Sequence, residues 1–220
     1  MAASKNKHLL FHLILGLVLC LLIISAAVTF TLNFRPLYHL DMHLLDIPGL
    51  SGFSESEILE NYNALIDYNR LFNHEPLHFP TLAMSETGRI HFEEVKRVFD
   101  LFGYLTLILL PAGLIGMIIA RRFRQRTYLR VAGILGLLIP VGLGAAVAVS
   151  WDKVFVLFHE LVFRNDFWIF DEVTDPVILI LPDTFFLHCA VMIFALVIIG
   201  SLICLRLSFA KKSSNQHKSH

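Results

Sequence analysis

The chain has 220 residues, of which 56% are hydrophobic, and it carries equal numbers of basic and acidic side chains, 18 of each. A soluble domain is about 45–50% apolar, so this composition argues against a soluble protein and favours one that lies in a membrane. Three cysteines, Cys20, Cys189 and Cys204, lie within apolar runs and form no CxxC pair, which argues against a disulfide framework.

Four apolar runs are long enough to cross a membrane as helices, since a hydrocarbon core of about 30 Å takes about 20 helical residues. They cover approximately residues 9–32, 101–120, 131–150 and 177–205. The first also resembles a signal peptide, because Lys5 and Lys7 precede it, but it exceeds the roughly 7–15 apolar residues of such a peptide. The Lys- and Ser-rich end, residues 211–220, is predicted to be disordered. We therefore expect an all-α integral membrane protein with four transmembrane helices, forming a single domain over residues 1–220.

The distribution of charge predicts how the spans are oriented. Eleven of the 18 Lys and Arg lie, with no Asp or Glu, in residues 1–8, 121–130 and 206–220. The other two segments outside the spans, residues 33–100 and 151–176, hold 17 of the 18 Asp and Glu. Basic segments stay in the cytoplasm, so both termini are predicted to be cytoplasmic. The two acidic segments are predicted to form an extracellular, partly helical cap.

The first acidic segment contains two helix starts. Residues 54–57, SESE, form a capping box, and the apolar spacing that follows predicts a helix to about Phe72. The prolines of residues 74–80, HEPLHFP, break the helical pattern. Ser85 or Thr87 can cap the next helix, which is expected to continue unbroken into the second span.

Two histidines lie on apolar helix faces where the cap meets the membrane. In residues 151–168, WDKVFVLFHELVFRNDFW, helical spacing places His159 on the same face as Phe155. In residues 89–99, RIHFEEVKRVF, His91 has the same kind of setting. An imidazole has an unperturbed pKa near 6.5, and burial lowers it, so both rings would be neutral and able to accept a proton. Spacing alone leaves a catalytic and a structural role equally open.

Other reaction centres have weaker support in the sequence. The HE pair at His159 begins like the zinc motif HExxH, but Phe163 takes the place of the second histidine. His74 and His78 have metal-ligand spacing, with Pro76 between them. The chain has neither a GxSxG nucleophile elbow nor a Gly-rich phosphate loop. No metal site and no cofactor are predicted, and direct acyl or proton transfer is favoured over a covalent intermediate.

Several ionisable groups near the outer surface have two interpretations. Lys96 either contacts lipid phosphate or carbonyl groups or pairs with an acidic residue on its own helix. His188 lies inside the last span and is a site candidate by its position, although its neighbours read as ordinary core. The remaining acids either orient an amine or a histidine or are simply solvated; they are Asp171, Glu172, Asp175 and Asp183.

Three segments of the chain contain motifs that can be compared with known sequence patterns. Residues 85–96, SETGRIHFEEVK, match the pattern S-x-x-G-x-x-H-F-x-E-V-K. Residues 158–168, FHELVFRNDFW, with TDP at 174–176 and LPDTFF at 181–186, match a second signature. Residues 61–68, NYNALIDY, look like the family's cap helix. In their order and their placement relative to the spans, these segments resemble the bacterial lipoprotein intramolecular transacylases, Lit, over nearly the whole chain.

The resemblance implies a reaction and a site. Lit enzymes move the acyl chain from the sn-2 oxygen of a lipoprotein's diacylglyceryl group to the α-amine of its own N-terminal cysteine, which gives the lyso-form lipoprotein. The positions that the family uses for catalysis match His91 and His159. From the three matching segments we expect substrate contacts by Phe92, Glu94, Lys96, Phe158, Phe163, Arg164, Asn165, Trp168, Asn61 and Tyr62.

The resemblance also implies a location and partners. We expect a monomeric multi-pass protein of the cell membrane of a Gram-positive bacterium, with its active site at the outer face. A diacylated lipoprotein is the expected substrate and membrane lipid the expected surroundings, with no nucleic acid, metal or cofactor. Two alternatives stay open: another membrane acyl transferase or lipid hydrolase, and a non-enzymatic four-span accessory or sensor protein. The lipid found on a lipoprotein's N-terminal cysteine distinguishes them.

Overall fold

The computed structural model describes residues 2–122 and 126–210, with side chains from residue 8 onwards. All regular structure in these residues is helical. The nine helices found there are α1 (Ala2–Asn33), α2 (Arg35–Leu44), α3 (Ile47–Ser51), α4 (Glu55–Tyr68), α5 (Glu86–Ala120), α6 (Thr127–Val149), α7 (Trp151–Phe163), α8 (Val177–Ile180) and α9 (Asp183–Phe209). The predicted disordered end, residues 211–220, lies outside the described residues.

Four of these helices, α1, α5, α6 and α9, are long and apolar enough to cross a membrane. This confirms the predicted all-α, four-span fold. At 35 residues, α5 is about 52 Å long, which exceeds the hydrocarbon thickness of about 30 Å. It runs unbroken from the cap into the span, as predicted, so its first turns, which carry His91, project beyond the hydrocarbon.

The central span is α1, which packs against α5, α6 and α9. Glycines allow two of the close approaches between helix backbones. A Cβ at Gly16 would lie 2.6 Å from the Cβ of Val131 in α6, and a Cβ at Gly133 would lie 2.7 Å from the carbonyl oxygen of Ser201 in α9. Small residues at such crossings are typical of helix packing in membranes. The four spans therefore form one tightly packed unit beneath the cap.

The last span is shorter than the sequence predicts. One helix is expected over residues 177–205, but the chain forms the short α8, breaks at residues 181–182 and begins α9 at Asp183. Pro182 has no N–H and restricts the preceding residue, and that residue accordingly has φ −125° and ψ 66°. The prediction is therefore wrong for residues 177–182, which belong to the cap.

The cap helix α4 starts where the capping box predicts and ends early. The Ser54 hydroxyl accepts a hydrogen bond of 3.3 Å from the N–H of Glu57. The helix ends at Tyr68 and not at Phe72. The side chain of Asn69 donates to a carbonyl of the last turn at 2.9 Å, and this satisfies a backbone acceptor that would otherwise need the next turn of helix.

The cap has a hydrophobic core of its own, which joins the two acidic segments. Tyr38 of α2 stacks on Tyr62 of α4 with ring centroids 3.6 Å apart, and its hydroxyl donates to the carbonyl of Ile180 in α8 at 2.7 Å. Phe92 of α5 and Phe185 of α9 belong to the same buried cluster. The core therefore fixes the cap onto the cap-side ends of the membrane helices α5 and α9.

Candidate active site

The two histidines that the sequence singles out lie side by side. The ring of His91, in α5, and the ring of His159, in α7, have centroids 6.0 Å apart. They are 68 positions apart in the chain and come from different helices, so the fold itself brings them together. Around them are aromatic rings that contact one or both imidazoles: Phe92, Phe155, Phe158, Phe163, Trp168 and Phe170. We call the two histidines and these six rings the aromatic chamber.

The first turn of α5 is locked in place at the edge of this chamber. Ser85 caps the helix by accepting from the N–H of Gly88 at 3.0 Å, as predicted. The buried carboxylate of Asp175 accepts from the N–H of Ser85 at 2.8 Å and from the hydroxyl of Thr174 at 2.8 Å. Asp175 is thus a structural clamp, because it holds the start of α5 and with it the position of His91. This contact explains the burial of the Asp175 carboxylate.

The helix α7 places His159. It begins after Ser150, whose backbone is extended, and ends at Phe163, before Arg164, which is in the left-handed conformation with φ 57°. The Nδ1 atom of His159 lies 2.7 Å from the carbonyl oxygen of Phe155, one turn earlier. Because a carbonyl oxygen can only accept, Nδ1 carries the hydrogen, and in the neutral ring the lone pair is on Nε2.

Burial keeps His159 neutral. Its pKa lies below the ordinary value of 6.5 because burial disfavours the charged ring, and the bond to the Phe155 carbonyl offsets only part of this effect. The nearest rings are those of Phe155, with its centroid at 4.2 Å, and Trp168, at 4.6 Å. The unprotonated Nε2 is therefore able to accept a proton near neutral pH.

His91 is the more enclosed of the two rings. It is 5% exposed, and its Nδ1 atom is buried with no hydrogen-bond partner among the described residues. The edge of Phe163 lies over it at 4.8 Å and that of Phe170 at 5.4 Å, measured between ring centroids. Such surroundings disfavour a charged imidazolium. A neutral His91 has one N–H that can donate a hydrogen bond to a bound oxygen.

Two of the expected polar substrate contacts bond to each other. The side-chain amide of Asn165 donates to both carboxylate oxygens of Glu94, at 3.0 and 3.1 Å. Its oxygen accepts from the N–H of Phe167 at 3.1 Å. This pair ties the turn that follows α7 to α5, and so holds Phe163 and Trp168 against the histidines.

The remaining expected contacts have partners elsewhere. Lys96 bonds to Asp100 at 3.2 Å, one turn further along α5, which favours the pairing interpretation of this residue. Arg164 is exposed at the end of α7. Asn61 is fully buried, and its amide donates to the hydroxyl of Thr81 at 2.6 Å, while Tyr62 lies in the cap core. The structure does not group these four residues with the histidines.

One pair with a buried carboxylate, that of His188 and Asp41, was not foreseen from the sequence. The Nδ1 atom of His188 in α9 lies 2.8 Å from a carboxylate oxygen of Asp41 in α2, and Asp41 is 1% exposed. The pair ties the first cap helix to the last span, which gives His188 a structural contact. The two residues are 147 positions apart, and no local pattern links them.

The fold and the site have known relatives. The family model of the lipoprotein intramolecular transacylase Lit matches residues 13–186, a stretch that includes both histidines and all of the cap helices. The chain belongs to the Lit family. This confirms the resemblance inferred from its signatures, and the protein is a membrane acyltransferase.

Solved structures of a Lit enzyme have the same fold. The membrane-integral lipoprotein intramolecular transacylase Lit from Bacillus cereus is 34% identical, with a TM-score of 0.90 over 92% of this chain and 94% of that one. Two variants of the Bacillus cereus enzyme are 33% identical. The variant with a histidine replaced by arginine has a TM-score of 0.85 over 94% of this chain and 92% of its own. The variant with a histidine replaced by alanine has a TM-score of 0.84 over 94% and 96%. No curated protein matches the sequence.

Proposed function

We propose that this Lit-family protein moves the sn-2 acyl chain of a diacylated lipoprotein to the α-amine of the same lipoprotein's N-terminal cysteine, and that His91 and His159 carry out the transfer. The observation that supports it most directly is the meeting of the two imidazole rings, with centroids 6.0 Å apart, inside the aromatic chamber. The product is the lyso-form lipoprotein, acylated on nitrogen and singly acylated on glycerol.

The tautomer of His159 indicates which step of the reaction each histidine performs. Its Nδ1 is engaged by the Phe155 carbonyl, so Nε2 takes the proton from the attacking amine as the N–C bond forms. His91 donates its N–H to the carbonyl oxygen, which becomes negatively charged in the tetrahedral intermediate. The bond from the acyl carbon to the sn-2 oxygen then breaks, and His159 returns the proton to that oxygen. One proton leaves nitrogen and one reaches oxygen, so the site ends as it began.

The aromatic chamber suits an intramolecular reaction. The amine and the ester belong to one flexible lipid-modified residue, and holding them in contact supplies up to about 7–11 kcal/mol of the barrier in well-oriented cases. The surrounding rings also help to keep water from the reacting carbonyl, since they bury the Nδ1 atom of His91. Attack by the amine is thereby favoured over attack by water.

The location of the site fits this substrate. Basic residues are concentrated in the termini and in residues 121–130, whereas the cap is acidic, so the termini are assigned to the cytoplasm and the aromatic chamber to the outer face. There it adjoins the outer leaflet, which holds the acyl chains of a lipoprotein. A single chain contributes both histidines, and we assign the active form as a monomer.

A crossover experiment tests the function. Two synthetic diacylated lipopeptides, one with deuterated acyl chains and one with an isotope-labelled peptide, are mixed with the protein in bilayers and analysed by mass spectrometry. Lyso-form product in which each peptide keeps its own acyl chains supports the proposal. Three outcomes contradict it. Acyl chains exchanged between the peptides would indicate an intermolecular transferase, released fatty acid would indicate a hydrolase, and unchanged lipopeptide would indicate an accessory protein.

Variants link the reaction to the histidines. His91→Ala and His159→Ala should each abolish lyso-form product while the folded protein remains. His78→Ala is the matched control, because His78 is an exposed histidine of the cap, and it should convert substrate normally. Normal conversion of substrate by both site variants would show that His91 and His159 do not carry out the reaction.

A further inference from the structure

One further polar group in the aromatic chamber, the indole N–H of Trp168, has no partner in the described part of the chain. The indole ring of Trp168 lies against His159, with centroids 4.6 Å apart and planes 31° apart. Its Nε1 atom is buried and finds no hydrogen-bond acceptor among the described residues. An indole N–H can only donate, and burying a donor without an acceptor costs about 1–3 kcal/mol. A phenylalanine would provide an aromatic ring without that cost.

The position of this N–H is fixed by its surroundings. Trp168 follows the turn in which Asn165 is bonded to Glu94 of α5, and the next residue, Ile169, donates its N–H to the carbonyl of Asp166 at 3.1 Å. The indole also packs edge-on against Phe155, with centroids 6.3 Å apart. The donor is therefore held in place by the protein before any substrate arrives.

We propose that the Trp168 N–H donates a hydrogen bond to the oxygen of the scissile carbonyl, beside the bond from His91. Trp168 is then a catalytic residue of the transfer, and this inference rests on the function proposed above. His159 contacts both His91 and Trp168, so an acyl carbon next to its Nε2 has two N–H donor groups nearby. Fixed donors aimed at the developing oxyanion stabilise the transition state more than the ground state.

Because His91 Nδ1 and Trp168 Nε1 are buried, the proposed reaction requires α7 to move so that the substrate can reach them. None of the residues of α7 is fully buried, and the helix is flanked by the extended Ser150 and by the left-handed Arg164. The side of α7 that faces the site is held by contacts between aromatic rings. In the required movement these contacts separate and then form again around an acyl chain. The N–H of Trp168 then gains the acceptor that no described residue provides.

The test compares two tryptophans. Trp168→Phe keeps an aromatic ring and removes the N–H. Trp151→Phe is the matched control. The Nε1 atom of Trp151 is also buried with no partner among the residues that the structure describes, but its ring packs on Phe155. Loss of one oxyanion donor lowers kcat by about 10²–10³-fold. We expect a loss of this size, with little change in KM, for Trp168→Phe and a nearly normal rate for Trp151→Phe.

A binding measurement separates catalysis from packing. One lipopeptide analogue carries an anionic phosphonate in place of the sn-2 ester carbonyl, and a second, unreactive analogue carries an uncharged ether there. Trp168→Phe should bind the phosphonate about a hundredfold more weakly than the wild type does and the ether equally well; retained ether binding also shows that the variant is folded.

Three results would overturn the inference: wild-type rates in Trp168→Phe, equal losses of affinity for both analogues, or the same loss of kcat in Trp151→Phe. If the wild-type protein forms no lyso-form product, the proposed function itself is wrong, and the inference about Trp168 loses its basis.

Discussion

The carbonyl oxygen of Phe155 holds Nδ1 of His159 at 2.7 Å, one turn back along the same helix. The bond is made within α7, so it persists if the helix moves as a unit to admit substrate. In the proposed reaction it makes Nε2 the basic nitrogen, because the proton on Nδ1 leaves the lone pair on Nε2. A backbone carbonyl does this without the negative charge that a carboxylate would bring into an apolar site.

The pH dependence of the transfer should reflect the lowered pKa of His159. Protonating the base stops the reaction, so a lower pKa moves this loss to lower pH. The substrate's α-amine, with an ordinary pKa of about 7.7–8.0, loses its reactive form first. The logarithm of kcat/KM should therefore fall with a slope of one below the amine pKa and steepen to two only below pH 6.5, the ordinary histidine value.

Rates measured with one lipopeptide from about pH 5 to pH 8.5 check this expectation. A lipopeptide acetylated on its amine serves as the unreactive control. A change from slope one to slope two at pH 6.5 or above would show that the base titrates like an exposed histidine, contrary to its burial.

Glu94 should affect the rate of acyl transfer because it positions the turn that carries two rings of the aromatic chamber. Glu94→Ala removes the acceptor of the Asn165 amide and loosens the turn that holds Phe163 and Trp168. A hydrogen bond to a charged group contributes about 1.5–3 kcal/mol, so kcat should fall about ten- to hundredfold with KM less affected. Glu94→Gln keeps an acceptor oxygen and should recover part of the rate.

The matched control for Glu94 is its neighbour Glu93, which pairs with Arg89 on the surface of α5. Glu93→Ala should leave the rate nearly unchanged in the same assay. Equal effects of alanine at both positions would contradict a positioning role for Glu94.

Gly88 should be needed for the stability of the junction between the cap and α5. A Cβ at Gly88 would collide with the carboxylate of Asp175, and this would break its bond to the N–H of Ser85. Gly88→Ala should lower the unfolding temperature, since losing a hydrogen bond to a charged group costs about 1.5–3 kcal/mol. Gly142→Ala is the control, because a Cβ at Gly142 would meet no atom of the described residues within 4 Å. Equal unfolding temperatures for the two variants would contradict the clamp.

The sequence predicts the spans and the histidine pair because both depend on local patterns. Apolar runs of sufficient length and the uneven charge specify four spans and their order. Helical spacing places His91 and His159 on apolar faces, and the predicted topology puts both at the same side of the membrane. Their meeting follows from these facts together with the family signatures.

Other features depend on contacts that no local pattern encodes. The pairs Asp41–His188 and Glu94–Asn165 join segments that are distant in the sequence. Glu94 and Asn165 were predicted as separate substrate contacts, and the sequence contains no pattern that predicts their bond to each other. Phe170 contacts His91 from an irregular loop without periodicity. The division of roles between the histidines required the hydrogen bond to Phe155, which is a property of the side-chain rotamer and not of the sequence spacing.

The most direct test of the two-histidine account is a mass-spectrometric time course of lyso-form product for glutamine variants of each histidine. A glutamine side chain can donate a hydrogen bond but cannot act as a base near neutral pH. His159→Gln should therefore lose about 10²–10⁴-fold in rate, the usual contribution of general base catalysis, whereas His91→Gln should convert substrate measurably faster than His91→Ala. Wild-type conversion by His159→Gln, or no advantage of glutamine over alanine at His91, would contradict the account.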